Sequence, residues 1–227
     1  MKEVHWQVRD TIAVLLVPFE LAVATIFGLS GFGDNTTLST ILSVVLRVVT
    51  TCAIIYLFWD VFRSGFLSFR KKIWLKLPVC LGAALLMPYV LQAVRSVTMG
   101  PQSFSMLKLV AGDIPVGVFL AASLTPLLAP FLEEIVFRHV LCYRFRSKPA
   151  LCAIMCILSA FLFGAVHLRN FDGNLLNTVP YMVIALLYNL IYLFTKNIWY
   201  SLSTHFLFNF MQSTLPLIQV LLMPNPV

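Results

Sequence analysis

Charged residues are scarce in this chain. They make up 11% of its 227 residues, whereas 60% are hydrophobic. A soluble domain typically carries about 25% charged residues, so the composition excludes an ordinary soluble domain. Several apolar runs approach the ~20 residues that a helix needs to cross a bilayer. These runs do not alternate as the strands of a membrane β-barrel do, so the sequence predicts a helical membrane protein.

Features that mark other classes of protein are also missing. No basic stretch interleaved with aromatic residues indicates a nucleic-acid partner, and the net charge of +7 fits cytoplasmic loops rich in Lys and Arg. The first apolar run lacks a small-residue cleavage site, so we expect no cleavable signal peptide. The cysteines form no paired framework, and we expect all five to be small buried apolar residues: Cys52, Cys80, Cys142, Cys152 and Cys156.

Seven apolar runs divide the chain, and each is a candidate transmembrane span. The last run contains Pro216 and gives an eighth span if it breaks there. The predicted fold class is therefore all-α, a polytopic membrane helical bundle of seven or eight spans. The runs fall near residues 11–30, 38–59, 77–94, 114–142, 150–168, 176–195 and 198–222.

The basic residues predict the orientation of these spans. Cytoplasmic loops of membrane proteins carry an excess of Lys and Arg. With the N-terminus in the cytoplasm, only Arg95, Lys108 and Arg169 fall on the outer side. We therefore expect a multi-pass plasma-membrane protein with a cytoplasmic N-terminus. The basic residues on the inner side are then Lys2, Arg9, Arg63, Arg70, Lys71, Lys72, Lys76, Arg144, Arg146, Lys148 and Lys196.

Three polar clusters lie inside the later apolar runs. Burying ionisable groups in a bilayer is expensive, so such groups usually mark function. Pro126 and Pro130 precede the first cluster, and we expect a helix restart there that faces a protein-lined cavity. The clusters are Glu133 and Glu134 with Arg138, Phe163 with His167, and His205 with Asn209.

Helical spacing separates the residues of the first cluster. Glu134 and Arg138 are four residues apart and can pair. Glu133 is rotated by about 100° from its neighbour, so its carboxylate stays available as a base. At ~1.5 Å per residue, Glu133 and His205 lie at similar depths, about 10–16 Å from the cytoplasmic edge, whereas His167 lies about 25 Å in.

The other two clusters carry complementary chemistry. His205 and Asn209 share a helix face and could donate hydrogen bonds to a developing oxyanion. His167 could position a water molecule or coordinate a metal. Each cluster alone also has a structural interpretation, as a buried ion pair, an interhelical hydrogen bond or an interfacial histidine. The joint occurrence of all three favours a catalytic site.

Two further charged residues lie within the first spans. Glu20 and Arg47 fall inside the first and second apolar runs. We expect them to form a buried ion pair, and the rival interpretation is a path for protons or substrate. No HExxH motif occurs, so a zincin-type membrane protease is unsupported.

The three clusters, in this order, resemble the CPBP family of intramembrane proteases, which includes type 2 CAAX prenyl endopeptidases and bacteriocin-immunity relatives. The family pattern is EExxxR, then FxxxH, then HxxxN or HxxxD, and the resemblance covers roughly residues 114–215. We therefore divide the chain into N-terminal transmembrane helices (1–113) and a CPBP-like catalytic transmembrane core (114–227). His139 departs from the family, whose members usually carry a small residue there, and its side chain could narrow the cavity or add a titratable group.

The resemblance implies an intramembrane endopeptidase that hydrolyses a peptide bond of a peptide or protein substrate. The depths of Glu133 and His205 predict that cleavage takes place near the cytoplasmic face. The substrate could itself be membrane-anchored. Prenylated CAAX tails would apply in a eukaryotic or archaeal host, and pheromone or bacteriocin precursors in a bacterium. The alternative is a non-proteolytic membrane scaffold or bacteriocin self-immunity protein that uses the same polar core.

The resemblance also implies a role for each position. Glu133 would activate a water molecule that His167 helps to hold. The oxyanion would be stabilised by His205 and Asn209, and the site would be organised by Glu134 and Arg138. The use of a metal stays open. Glu133, His167 and His205 could form a three-ligand zinc site, and a metal-free glutamate mechanism fits equally well.

Overall fold

The computed structural model describes residues 6–26, 36–98, 120, 123–215 and 218. Every regular element in these ranges is helical, so the predicted all-α fold class is confirmed. Short 3-10 helices and two π-helical segments, Glu134–Val140 and Phe210–Thr214, accompany the α-helices. The α-helices are α1 (Val8–Ile26), α2 (Thr36–Leu57), α3 (Trp59–Phe69), α4 (Ile73–Thr98), α5 (Thr125–Glu133), α6 (Pro149–Ala165), α7 (Val179–Thr195) and α8 (Ile198–Asn209).

Three helical stretches of the described ranges are long and apolar enough to cross a membrane. They are Thr37–Leu57, Ile73–Thr98 and Leu176–Thr195, and Pro149–Ala165 is a shorter apolar helix. Many large apolar side chains on these helices face outward, including Val79 and Phe194. Such surfaces suit lipid, since a water-soluble protein rarely exposes large contiguous apolar patches. The total of seven or eight spans stays a prediction, because three stretches of the described ranges meet the length and apolarity that a span needs. The predicted break at Pro216 lies outside the described residues.

Helix α3 lies between two spans and was assigned to no helix in the sequence analysis. It docks on the start of α8, where the Asn197 amide donates to the Gly65 carbonyl at 2.9 Å and the Trp199 indole donates to the Phe62 carbonyl at 2.7 Å. A Cβ on Gly65 would lie 2.9 Å from a Trp199 ring carbon. Only a glycine therefore lets the two helices approach this closely.

The hydrophobic core joins the N-terminal helices to the later ones. Ala13 of α1, Ile54 of α2 and Phe62 of α3 belong to the same buried cluster as Leu132 and Ile135, which flank the glutamates. Burial of such side chains contributes about 1.5–3 kcal/mol each. The N-terminal helices therefore form the packing surface behind the first polar cluster.

Ion pairs fix α1 at the basic end of the bundle. Arg9 pairs with Asp60 through two contacts of 2.6 and 3.1 Å and also donates to the Leu57 carbonyl at 3.2 Å. Asp10 is fully buried and pairs with Arg144, which follows the first polar cluster in the sequence. Because a buried carboxylate is costly without a partner, Arg144 holds α1 against this turn.

The expected pair within the first two spans is confirmed. An Arg47 nitrogen lies 2.8 Å from a Glu20 oxygen, which joins α2 to α1. The Thr50 hydroxyl donates a short hydrogen bond to the other Glu20 oxygen. Glu20 is buried, so the cation and the hydroxyl together offset the cost of placing its charge in the bilayer.

The expectation that every cysteine is buried is wrong for Cys52, which is exposed. Cys142 and Cys156 are buried as expected, but they are joined as a disulfide. Only Cys80 and Cys152 are free thiols in buried positions, as the sequence analysis expected. The apolar pattern around each cysteine predicted burial in a helix but held no information about which helices meet.

Candidate active site

The first polar cluster lies where one helix changes its hydrogen-bonding pattern. Helix α5 begins at Thr125, with Pro126 in its first turn, and continues directly into the π-helical segment at Glu134. The Leu141 amide then donates to the Val136 carbonyl, five residues back, at 3.0 Å. The restart that we expected near the glutamates is therefore at Thr125, and the glutamates lie at an α-to-π transition. Such transitions are common at functional sites.

Pro130 explains the position of Asn209. Proline has no backbone N–H, so the carbonyl of Pro126, four residues earlier, loses its helical donor. The Asn209 amide donates to this carbonyl at 2.7 Å. One proline in α5 thus creates the acceptor that holds the end of α8.

Glu134 and Arg138 form a fully buried pair behind the cavity. Both side chains have no exposed surface, and the Arg138 Nε lies 3.3 Å from a Glu134 oxygen. The Arg138 guanidinium also packs 4.2 Å from the Phe163 ring and 5.1 Å from the Tyr188 ring. Aromatic faces attract a cation most strongly when it is desolvated. The pair predicted from the four-residue spacing is confirmed, and it is enclosed by aromatic rings.

His205 links the two glutamates. Its Nδ1 lies 2.9 Å from a Glu134 oxygen, and its Nε2 lies 3.6 Å from a Glu133 oxygen. A carboxylate can only accept, so Nδ1 carries the proton and donates to Glu134. In the neutral ring Nε2 is therefore an acceptor, and only the imidazolium donates from Nε2. Tyr188 stacks on the ring with centroids 4.6 Å apart and fixes its orientation.

His167 is held in a similar way. It follows α6, and its Nδ1 lies 2.8 Å from the Phe163 carbonyl oxygen. Because a carbonyl oxygen only accepts, Nδ1 is again the protonated nitrogen and Nε2 of the neutral ring carries a lone pair. The Tyr181 ring stacks on His167 with centroids 4.4 Å apart. Both histidines are thus fixed in the same tautomer by their partners.

One cavity of about 750 Å³ brings four of the six predicted site residues together. Glu134 and Arg138 lie behind it, and they contact it through His205 and the aromatic rings. The depth difference that separated His167 from the other residues in sequence does not keep it out of the cavity. The four residues that line it are Glu133, His167, His205 and Asn209.

Tyr188 is a cavity residue that the sequence analysis missed. It is fully buried in α7, and its hydroxyl has no hydrogen-bond partner among the residues that the structure describes. A buried hydroxyl that makes no hydrogen bond is costly, so such a group calls for a functional explanation. The sequence carries no signal for a role of Tyr188, because a tyrosine in an apolar helix is common at membrane surfaces. The residue is recognised only by its contact with His205 in the folded protein.

Of the two alternatives for His139, narrowing of the catalytic cavity is excluded by the position of its side chain. Its ring lies in a second cavity of about 490 Å³ at the basic end, together with Asp60, Tyr143 and Tyr192. Its Nδ1 lies 2.8 Å from the Tyr192 hydroxyl oxygen, and the two rings stack with centroids 6.0 Å apart. His139 therefore packs on the far side of the π-helical segment, away from Glu133.

The candidate zinc ligands do not fit a metal in this arrangement. Three ligands of one zinc ion must bring their donor atoms close together, since metal–ligand bonds are about 2.0–2.3 Å. Glu133, His167 and His205 do not form a group with all donor atoms within 4.8 Å of one another; in the described ranges only three cysteines do. We therefore derive no catalytic step through a metal at this site.

The fold and the site define a helical membrane protein with a buried carboxylate–imidazole site. Residues 115–211 match the family model described as Type II CAAX prenyl endopeptidase Rce1-like, a stretch that contains all six predicted site residues. This match supports the assignment of the chain to the CPBP family of intramembrane proteases. No curated protein and no solved structure matches the chain.

Proposed function

We propose that this chain is an intramembrane endopeptidase in which Glu133 activates the attacking water. The observation that carries the proposal is the difference between two adjacent carboxylates. The Glu134 side chain has no exposed surface and contacts Arg138 and His205, whereas 17% of the Glu133 side chain is exposed beside the cavity. A general base must reach its substrate, and Glu133 is the carboxylate that can.

The reaction needs few participants. Glu133 takes a proton from the water, whose oxygen attacks the carbonyl carbon of the scissile peptide bond. The π electrons of the carbonyl move to its oxygen and form the tetrahedral oxyanion. When the C–N bond breaks, the electron pair returns to the carbonyl and Glu133 gives its proton to the leaving amine. His167 holds the water, because its Nε2 lone pair accepts one hydrogen bond from it.

Stabilisation of the oxyanion requires donors that face the cavity. As the imidazolium, His205 carries an N–H on Nε2 as well as on Nδ1, and it can then donate from Nε2 toward the cavity. We assign the Tyr188 hydroxyl as a second donor, because Tyr188 lines the cavity beside His205 and its hydroxyl has no hydrogen-bond partner among the described residues. Asn209 keeps one N–H on the Pro126 carbonyl and has one more for the substrate. Donors aimed at a developing oxyanion are often the largest single source of catalysis.

We further propose that the substrate enters from the outer half of the membrane. The cavity includes Leu91 and Arg95, in the last turns of α4, and Pro126 and Tyr181, at the starts of α5 and α7. The basic loops at the opposite helix ends are cytoplasmic by the positive-inside rule. This proposal differs from the cleavage near the cytoplasmic face that the depths of Glu133 and His205 predicted, and it favours membrane-anchored substrates with an outward-facing segment.

The central test compares Glu133→Gln with the wild type in cells and reads out new protein termini by mass spectrometry. Wild-type cells should contain cleaved fragments that are absent with the variant, because the amide of Gln cannot accept the proton. Both proteins must reach the membrane at equal levels. Fragments that persist with Glu133→Gln would refute the mechanism. A host phenotype that persists without them would favour the scaffold or immunity function.

A second histidine provides a matched control. His167→Leu should remove most of the cleavage because leucine has no acceptor to hold the water. His139→Leu changes an imidazole on the far side of the π-helical segment and should leave cleavage intact. Equal losses in both variants would indicate a structural effect and count against the assigned role of His167.

Tyr188→Phe tests the proposed oxyanion donor. The change keeps the ring that stacks on His205 and removes only the hydroxyl. Loss of one oxyanion donor lowers kcat by about 10²–10³-fold, and KM should change little. Tyr192→Phe removes a hydroxyl that contacts His139 outside the cavity and serves as the control. A normal kcat in Tyr188→Phe would exclude the hydroxyl from the chemical step.

A further inference from the structure

Three cysteines form a cluster away from the catalytic cavity. The sulfurs of Cys142, Cys152 and Cys156 all lie within 4.8 Å of one another, and all three residues are buried. Cys142 follows the π-helical segment that carries Arg138, whereas Cys152 and Cys156 are one turn apart on α6. The cluster thus joins the two helices that supply most of the site, and the proposed chemistry does not use it.

We propose that this cluster binds one soft metal ion, with Cu(I) as the ion that best fits three thiolates. Thiolate ligands select Cu(I) and zinc over harder ions. A structural zinc site takes four protein ligands, and no fourth His, Cys, Asp or Glu belongs to this group in the described ranges. Three thiolates alone complete a trigonal Cu(I) centre.

The spacing of the sulfurs suits such a centre. With metal–sulfur bonds of about 2.3 Å, three sulfurs around one ion stand about 4 Å apart. This separation is within the 4.8 Å that bounds the cluster. The Cα atoms of Cys142 and Cys156 are 5.0 Å apart, so rotation of the two side chains is enough to reach it.

The redox state of the compartment decides whether these cysteines form a disulfide or bind a metal. The cluster borders the turn that holds Arg144, Arg146 and Lys148, which is cytoplasmic in the proposed orientation. Cytosolic thiols are kept reduced, and clustered cysteines there more often bind metals than form lasting disulfides. The basic side chains of the same turn would offset the negative charge of a three-thiolate centre. Binding releases the thiol protons to solvent.

The test uses the full-length protein, reduced and purified without oxygen in detergent. Titration with Cu(I) against a colorimetric chelator should give one tightly bound ion per chain, and X-ray absorption should show sulfur neighbours at about 2.3 Å. Ser variants of Cys142, Cys152 and Cys156 should each lose this uptake. Cys52→Ser and Cys80→Ser are matched controls and should bind like the wild type, since both cysteines lie outside the cluster.

A second measurement needs no variant, in case a substitution prevents folding. Bound Cu(I) should protect Cys142, Cys152 and Cys156 of the wild type from alkylation, while exposed Cys52 still reacts. Cells lysed directly into an alkylating agent show whether Cys142 and Cys156 form a disulfide in the cell. A Cys142–Cys156 disulfide in that sample, with no Cu(I) uptake after reduction, would overturn it. Neither measurement depends on proteolysis, so the metal site and the proposed function can fail separately.

Discussion

The first prediction tests whether Asn209 stabilises the fold by donating to the Pro126 carbonyl, which has no helical donor because of Pro130. In Asn209→Leu the side chain keeps its size and loses its donor, so the carbonyl at the start of α5 is left without a partner. An unsatisfied carbonyl costs about 1–3 kcal/mol when it is fully buried, and less here because this hydrogen bond is only partly buried. Hydrogen bonds between membrane helices average about 0.6 kcal/mol and reach about 1.7. We therefore expect a loss of about 1 kcal/mol in the free energy of unfolding.

The same substitution should cost almost nothing when Pro130 is changed to Ala. The alanine supplies the N–H that proline lacks, and this N–H donates to the Pro126 carbonyl within α5. A double-mutant cycle, measured by reversible unfolding in mixed micelles, should therefore show a coupling of about 1 kcal/mol between the two positions. Equal losses from Asn209→Leu in both backgrounds would refute the idea that Pro130 creates the acceptor.

Three further predictions concern the packing and charges around the site. Gly65→Ala should lower the thermal unfolding temperature, because the new methyl group would lie 2.9 Å from an indole carbon; a normal temperature would mean that α3 can shift. The Arg9 hydrogen bond lowers the pKa of Asp60. This pair therefore stabilises the fold above pH ~4, by at most about 1 kcal/mol, and the stability gap to Asp60→Asn should close as the pH falls below that range; a gap that widens would contradict the sign. Exchange of Glu20 and Arg47 should restore part of the stability that either single charge reversal loses, and a double variant no better than the singles would argue against pairing.

The sequence allowed prediction of those features that depend on spacing within one helix. Glu134 and Arg138 pair as their four-residue separation requires, and Glu133 points elsewhere because the helix turns by about 100° per residue. Tyr188 could not be found this way, since its meeting with His205 depends on how α7 packs against α8. Periodicity describes one helix at a time, and contacts between helices follow from the whole arrangement.

Errors at other positions have the same origin. The bulk of His139, next to Arg138 in the sequence, could have narrowed the cavity, but its side chain lies on the opposite side of the π-helical segment. The change from α to π geometry has no simple signal in composition. Cys142 was treated as an isolated apolar residue because its partner lies on another helix. The sequence predicted which segment holds each of these residues, but it did not determine which side of the segment each side chain faces.

The shared hydrophobic core has a consequence for how this protein can vary. The family match covers residues 115–211, but Ala13, Ile54 and Phe62 pack into the same core as the residues around the glutamates. The part of the chain that matches the family model and the part that precedes it should therefore unfold together. The first three helices can change their sequence as long as they present a complementary apolar surface and keep Gly65 and the ion pairs of Arg9 and Asp10. The half that contains the family match, expressed alone, would expose that surface and should aggregate, whereas the two halves produced together should reassemble.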